Sequence, residues 1–262
     1  MTEARYTPDE MMTIAAARKL RGRTVCFVGI GLPSAAANLA RIMHAPEVVL
    51  VYESGTIGAK PHVLPLSIGD GELAETADTV VSVPEVFRYW LQGGRVDVGF
   101  LGAAQIDKYG RINTTVIGGS YEQPKVRLPG AGGAPEIATS AKEVWIVLKQ
   151  SKRSFVETLA FVTSSGYPAI GEINSHARGR GPTTVITDLG VMVSNPQSHE
   201  LTLVALHPGI ELQQAKDETG WELKVAPELG RTAAPAEDEL RTLRDLHERT
   251  SIAHGIAAGS ES

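Results

Sequence analysis

The chain has 262 residues, 42% of them apolar, and its 25 Lys and Arg against 30 Asp and Glu leave a net charge of −5 with histidine neutral. Folded chains of this size bury roughly three quarters of their unfolded surface and need no covalent staple; the one cysteine, Cys26, excludes a disulfide framework and a Cys-rich zinc site and fits a reducing compartment. A mildly acidic chain with 5% aromatics lacks the basic face that attracts phosphate backbones, no stretch approaches the ~20 apolar residues that cross a bilayer, and MTEARYTPDEMM holds no apolar leader, so neither nucleic acid nor membrane is an expected partner and the cytoplasm is the expected compartment.

At the start, Thr7-Pro8-Asp9-Glu10 reads as a capping box with proline in the first helical position. A helix is expected to follow, with Met11, Met12, Ile14, Ala15, Ala16 and Leu20 at helical spacing. Short apolar runs come next, at 24–29, 47–53, 96–102, 143–149, 183–188 and 201–207. Runs apolar on both faces, separated by helical stretches such as SAAANLARIM (34–43) and PEVFRYWLQ (84–92), predict an α/β fold: an open, mainly parallel sheet with helices on both faces. The glycine-rich stretches 102–119 and 129–135 read as ordered loops, and the polar stretch 164–182 as a surface excursion between strands. Beyond Pro235, Leu240, Leu243 and Leu246 fall a turn apart with acids first and bases later, which predicts a docking helix. With no repeat and no linker, residues 1–254 are expected to form one domain and 255–262 a frayed tail.

Two local features invite chemistry. In VGIGLPS (28–34) a strand runs through Gly29 and Gly31 into an Ala-rich helix, a turn that lets backbone approach a ligand. As a dinucleotide fingerprint it is imperfect: Ser34 stands at the third glycine and Pro33 removes an N–H where the helix begins, so a tight turn without ligand remains an equal alternative. The second feature is Tyr52-Glu53-Ser54-Gly55, where the run Val48 to Val51 stops. Glu53 is open to three readings: the ribose-binding acid of a nucleotide site, a carboxylate nucleophile at the mouth of the sheet, or a solvated turn acid.

The ordered set GIGLP (29–33), YESG (52–55), SIGDGELAETAD (67–78), LGAAQID (101–107), GRINTT (110–115) and GAGGAPEIA (130–138) resembles the β subunits of family I CoA-transferases from about Tyr6 to about His254. Within that family it is most similar to the branch acting on 3-oxoadipate, with the glutaconate branch more distant. The resemblance implies the family's ribose-5-phosphate isomerase-like fold and makes Glu53, of the Glu-Ser-Gly motif, the nucleophile, followed by Ser54 and Gly55. It makes Gly29, Gly31, Leu32 and Pro33, together with Gly130, Gly132, Gly133 and Ala134, the lining of the CoA thiol and pantetheine arm, and sets Gln105 and Asn113 beside that pocket. The stretch AIGEINSHARGRG (169–181) departs from the Leu-Gly-Leu-Pro-Gly pattern of the relatives.

The implied reaction moves CoA from succinyl-CoA to a 3-oxo dicarboxylic acid, 3-oxoadipate in the favoured reading, through a glutamyl-CoA thioester, as a step in the degradation of aromatic compounds. Coenzyme A is then a substrate, and no metal or permanently bound cofactor is implied. The family's main oxyanion donors resemble a Gly-Gly-Phe backbone absent from this chain, which implies an α partner in an αβ or α2β2 assembly. Rival expectations are a glutaconate or other 3-oxoacid transferase subunit, a nucleotide-binding Rossmann-type protein, a ligand sensor, and a hydrolytic relative in which water takes the acyl group. Cys26 and His207 read as structural, His176 and His199 form no metal pattern, and Phe87, Tyr89, Trp90 and Leu91 read as core or subunit interface. Arg88, Lys125 and Arg127 are candidate partners for a distal carboxylate.

Overall fold

A computed structural model describes residues 6–166 and 179–255. It opens on α1 (Pro8–Lys19), where the capping box is formed: the Thr7 N–H donates to Glu10 Oε2 at 2.7 Å and the Glu10 N–H to Thr7 Oγ1 at 3.2 Å. Then follow β1 (Val25–Val28), α2 (Leu32–Met43), β2 (Val49–Val51), β3 (Thr56–Ile57), α3 (Gly71–Glu75) and β4 (Thr79–Val80). After α4 (Val83–Glu85) the chain winds as a π-helical turn over Val86–Leu91 and enters β5 (Val98–Gly102). Two small hairpins come next, β6 (Gln105–Ile106) with β7 (Ile112–Asn113) and β8 (Val116–Gly119) with β9 (Pro124–Arg127). The remaining elements are α5 (Ala134–Ser140), β10 (Glu143–Val147), β11 (Pro182–Ile186), β12 (Gly190–Ser194), β13 (Leu201–Leu206), α6 (Leu212–Asp217), β14 (Lys224–Arg231) and α7 (Glu237–His254).

One ten-stranded sheet, in the order β14-β13-β12-β11-β10-β5-β1-β2-β3-β4, carries the molecule. Its centre, β11-β10-β5-β1-β2, is wholly parallel, as the doubly apolar runs require. Antiparallel pairs at β2-β3-β4 and β11-β12-β13 extend it on both sides, so the expected parallel sheet is a parallel core with mixed flanks. Alternate residues of β1 face opposite layers: Cys26 and Val28 pack with α1, α2 and α7, while Val25 and Phe27 pack with the π-turn and α5.

Every expected apolar run supplies a strand, and the docking helix is present with Leu240, Leu243 and Leu246 buried. The structure corrects two expectations. The stretch 84–92 winds as a π-turn and not as a regular α-helix, and 102–119 is not loop throughout but contains β6, β7 and β8. Most of the excursion 164–182, its divergent segment and all of the expected tail beyond Gly255 lie outside the described residues. Among the described residues no helix is long and apolar enough to cross a membrane.

Candidate active site

Because β1, β2 and β5 run parallel and adjacent, their C-terminal ends open on one edge of the sheet, where an α/β sheet binds its ligands. Glu53 stands on this edge, in the reversal that joins β2 to β3. The Tyr52 N–H donates to the Thr56 carbonyl and the Gly55 N–H to the Tyr52 carbonyl, both at 3.0 Å. Gly55 adopts φ +102°, and a Cβ there would lie 2.0 Å from the Val81 carbonyl oxygen, so glycine two residues after the glutamate is a steric requirement of the turn. The glutamate is thereby held half-buried.

The glycine-rich loop before α5 lies against this carboxylate. Glu53 Oε2 accepts a hydrogen bond from the Gly133 N–H at 3.3 Å. A Cβ on Gly132 would sit 3.7 and 3.8 Å from the two carboxylate oxygens, and one on Gly133 would meet Glu53 Oε2 at 3.0 Å and Phe87 Cζ at 2.7 Å. Glycine at 133 is what lets backbone, carboxylate and ring come together, and Ala134 then begins α5.

The loop is pinned at its other end. The Gly130 N–H donates to the Thr114 carbonyl at 2.8 Å, and Thr114 Oγ1 donates to the Gly130 carbonyl at 2.7 Å. Beneath this clamp lie the buried Gln105 and Asn113. Asn113 Nδ2 donates to Gln105 Oε1 at 2.9 Å and to the Val116 carbonyl at 2.7 Å, and Asn113 Oδ1 accepts from the Thr115 N–H at 3.0 Å. Gln105 Nε2 donates to the Arg153 carbonyl at 3.3 Å. Both amides are thus engaged with each other, with Val116 and with Arg153, next to the Thr114 clamp on the loop.

The turn at 29–33 is built by backbone. The Gly29 N–H donates to the Phe100 carbonyl at 3.0 Å, and a Cβ on Gly29 would lie 3.0 Å from the same oxygen. Gly31, at φ 81°, precedes α2, with Pro33 buried in its first turn. Gly31 and Leu32 line a cleft of about 710 Å³ with Ile30, Leu64 and Leu243. Glu53 is not among the residues lining that cleft. Turn and glutamate are coupled from below: the buried Tyr52 hydroxyl lies 3.3 Å from Ser34 Oγ and accepts from Asn38 Nδ2 at 3.1 Å. Burial pushes the Tyr52 phenol above its ordinary value, outweighing the hydrogen bonds from Ser34 and Asn38.

A family model described as Coenzyme A transferase matches residues 9–217. The chain belongs to the coenzyme A transferase family. It is 61% identical to a 3-oxoadipate CoA-transferase subunit of Pseudomonas knackmussii, over 98% of this chain and 99% of the relative. A glutaconate CoA-transferase subunit of Acidaminococcus fermentans is 32% identical over 84% of this chain and 85% of its own. The crystal structure of that organism's glutaconate CoA-transferase superposes with a TM-score of 0.84 at 29% identity, covering 92% of this chain and 94% of the matched one. More distant is a cholesterol ring-cleaving hydrolase IpdB subunit of Rhodococcus jostii, 28% identical over 84% of this chain and 83% of the relative.

The family's fold is therefore the expected one, and the remaining candidates can be placed on it. Cys26 is buried in β1, where burial pushes its thiol far above the ordinary range, and Asp97 adds to the shift. His207 is buried between Thr232 Oγ1 and the Thr187 carbonyl, each at 2.8 Å, and burial lowers its pKa. Both sit where structural residues sit. His199 occupies a turn at φ 58°, and His176 lies outside the described residues. Among the described residues no three His, Cys, Asp or Glu side chains form a group able to hold a metal. Arg127 lies over the Tyr121 ring at 4.8 Å, while Arg88 is exposed on the π-turn beside Phe87 and Lys125 is exposed on β9. The sequence reading placed Phe87 in the core or a subunit interface and gave Thr114 no role; the structure packs Phe87 partly on the core with its ring tip at Gly133, and uses Thr114 to hold Gly130.

Proposed function

We propose that this chain is the β subunit of a two-subunit 3-oxoadipate CoA-transferase that moves CoA from succinyl-CoA to 3-oxoadipate, with Glu53 as nucleophile. The observation that carries the reading is the Glu53 carboxylate, half-buried at the C-terminal edge of the parallel strands and facing a backbone N–H from a glycine loop. The 61% identity to a 3-oxoadipate CoA-transferase subunit supports the substrate, and the 32% identity to a glutaconate enzyme makes another carboxylic acid the second reading.

A carboxylate attacks a thioester without loss of driving force, because the mixed anhydride formed is close to the thioester in reactivity. Glu53 adds to the acyl carbonyl of succinyl-CoA, the carbon–sulfur bond breaks, and CoA leaves as thiolate. The thiolate then adds to the glutamyl carbonyl of the anhydride and succinate departs, leaving a glutamyl-CoA thioester. 3-Oxoadipate attacks that thioester, and the same two steps run in reverse. Retaining the thiolate on its pantetheine arm turns recapture into an effectively unimolecular event. The turn at Gly29 to Pro33 and the loop at Gly130 to Ala134 are proposed to line that arm, with Ser54 and Gly55 shaping the nucleophile's turn.

Each step passes through an oxyanion, and the Gly133 N–H is one donor within reach of the reacting carboxyl. The rest is assigned to an α partner, in line with each of these relatives being one subunit of its enzyme. Coenzyme A enters as substrate, no resident cofactor is proposed, and a cytoplasmic location belongs to the same reading.

The test is covalent trapping. The assembled enzyme incubated with succinyl-CoA and no acceptor is expected to carry CoA on Glu53, so that borohydride reduction or hydroxylamine treatment marks the peptide containing Tyr52-Glu53-Ser54. A marked peptide elsewhere, or none, overturns the mechanism. A ribose-binding Glu53 would give no adduct and would weaken nucleotide binding when substituted.

A further inference from the structure

Phe87 meets the site where three of its segments converge. Its ring tip and the Glu53 carboxylate lie on one side of Gly133, since a Cβ there would be 2.7 Å from Phe87 Cζ and 3.0 Å from Glu53 Oε2. The same ring stands edge-on to Phe27, with centroids 5.9 Å apart at 61°, on the strand that leads into the Gly29 turn. The ring projects from the π-turn over Val86–Leu91. In a π-turn residues five apart share a face, and Val86 and Leu91, both fully buried, take the core-facing positions of Val86–Leu91. The hydrogen bonds from the Gln92 N–H to the Phe87 carbonyl at 2.8 Å and from the Arg95 N–H to the Trp90 carbonyl at 2.9 Å hold that winding. Phe87, next to this buried pair, packs partly against the same core cluster and carries its ring tip to Gly133. The turn is anchored upstream by Ser82, whose N–H and hydroxyl both donate to Glu85 Oε2, at 2.9 and 2.8 Å.

An apolar ring edge beside a carboxylate gives it no conventional hydrogen bond, only the small attraction of the ring's positive edge. It removes a place where water would stand. We propose that Phe87 is the water-excluding wall of the Glu53 site and sets the partition between CoA transfer and hydrolysis, a role that rests on Glu53 being the nucleophile. The competing reaction is the addition of water to the glutamyl-CoA carbonyl: the carbon–sulfur bond breaks, coenzyme A leaves as free thiol after taking a proton, and the carboxylate of Glu53 is regenerated with release of a proton. Each such event discards the CoA that the acceptor acid should receive. Because water and the acceptor carboxylate attack the same carbon, selectivity has to come from which nucleophile is admitted. Gly133 supplies the donor and Phe87 closes the adjoining face, so one glycine serves both.

The test compares wild type, Phe87→Ala and Phe87→Leu, each assembled with its α partner. The Glu53 adduct is formed with succinyl-CoA, free thioester is removed, and loss of the adduct is followed by mass in acceptor-free buffer, alongside succinyl-CoA hydrolysis and exchange into 3-oxoadipate. The expected result is an adduct that decays about 10-fold faster in Phe87→Ala and about 3-fold faster in Phe87→Leu, with the ratio of hydrolysis to exchange rising in step. Should the alanine variant fail to fold, the leucine variant, closer in volume, makes the same comparison. Decay at the wild-type rate in the folded variants overturns the proposal and leaves Glu53 in place. A wild type that forms no adduct overturns the Glu53 reading and this role together.

Discussion

The two ends of α1 and the loop at Gly133 are built by opposite means. On the helical layer, side chains make the contacts: Glu10 takes Arg244 at 2.6 and 3.1 Å, and Glu239 takes Arg18 through Nε at 2.7 Å and again through Nη2, with His44 Nε2 3.0 Å away. On the site edge, close approach depends on side chains that are missing. At Gly55 a Cβ would collide with the Val81 carbonyl, at Gly29 it would crowd the Phe100 carbonyl, and at Gly133 it would press on the Phe87 ring tip and the Glu53 carboxylate. The difference separates what stabilises the molecule from what positions its chemistry, and it predicts that rate and stability respond to different substitutions.

The largest effect is expected at the carboxylate itself. Glu53→Gln keeps the shape and loses the oxygen proposed as nucleophile; exchange in the assembled enzyme is expected to fall by about 10³-fold or more, with the urea midpoint unmoved. Near wild-type exchange, with deamidation excluded by mass, would break the comparison at its strongest point. Gly133→Ala comes next. The added Cβ forces apart Phe87 and Glu53, and exchange is expected to drop about 10²-fold while stability falls by about 1–3 kcal/mol, measured by exchange assay and urea titration. A rate loss no larger than the stability loss explains would mean that the loop only fills space.

Glu239→Ala probes the other side. It strips a buried carboxylate from Arg18 and from the Ala236 N–H at 2.7 Å, and is expected to cost about 3 kcal/mol in urea titration while kcat at saturating substrates stays within about 2-fold. The smallest effect is the pH dependence of stability. Burial raises the pKa of Glu239, but hydrogen bonds from Arg18 and Ala236 outweigh it, so the folded value lies below the ordinary 4.5. The stability it contributes is complete above that pH and is lost as the pH falls through the folded value. His44 is lowered chiefly by burial, against the pull of Glu239, so the unfolded chain takes up its proton first and stability begins to decline below about 6.5. Urea midpoints are expected to fall in two stages on acidification, with Glu239→Ala blunting the later one.

Legibility in the sequence follows the same division. α1 and α7 announce themselves by caps and leucine spacing, and the parallel strands by runs apolar on both faces. β14 was unreadable because it is a largely exposed edge strand that contains Pro227, tolerable only where no partner needs its N–H. β6 and β7 are two residues each, too short for any period to show. Glu53 stood out as a carboxylate at a strand end before Ser-Gly, but the residues alone left three readings open and only the resemblance to the CoA-transferases chose among them. Phe87 was not legible, because an apolar ring on a helical stretch reads as core or interface, and the part of it that packs on the core hides the tip that meets Gly133.

One buried sulfur has a practical consequence. The chain's single thiol, Cys26, lies fully enclosed in β1, so a folded subunit offers a colorimetric disulfide reagent nothing to titrate. Free coenzyme A liberated in solution would be read without background from this chain, and the delayed appearance of one protein equivalent would report the opening of the central sheet.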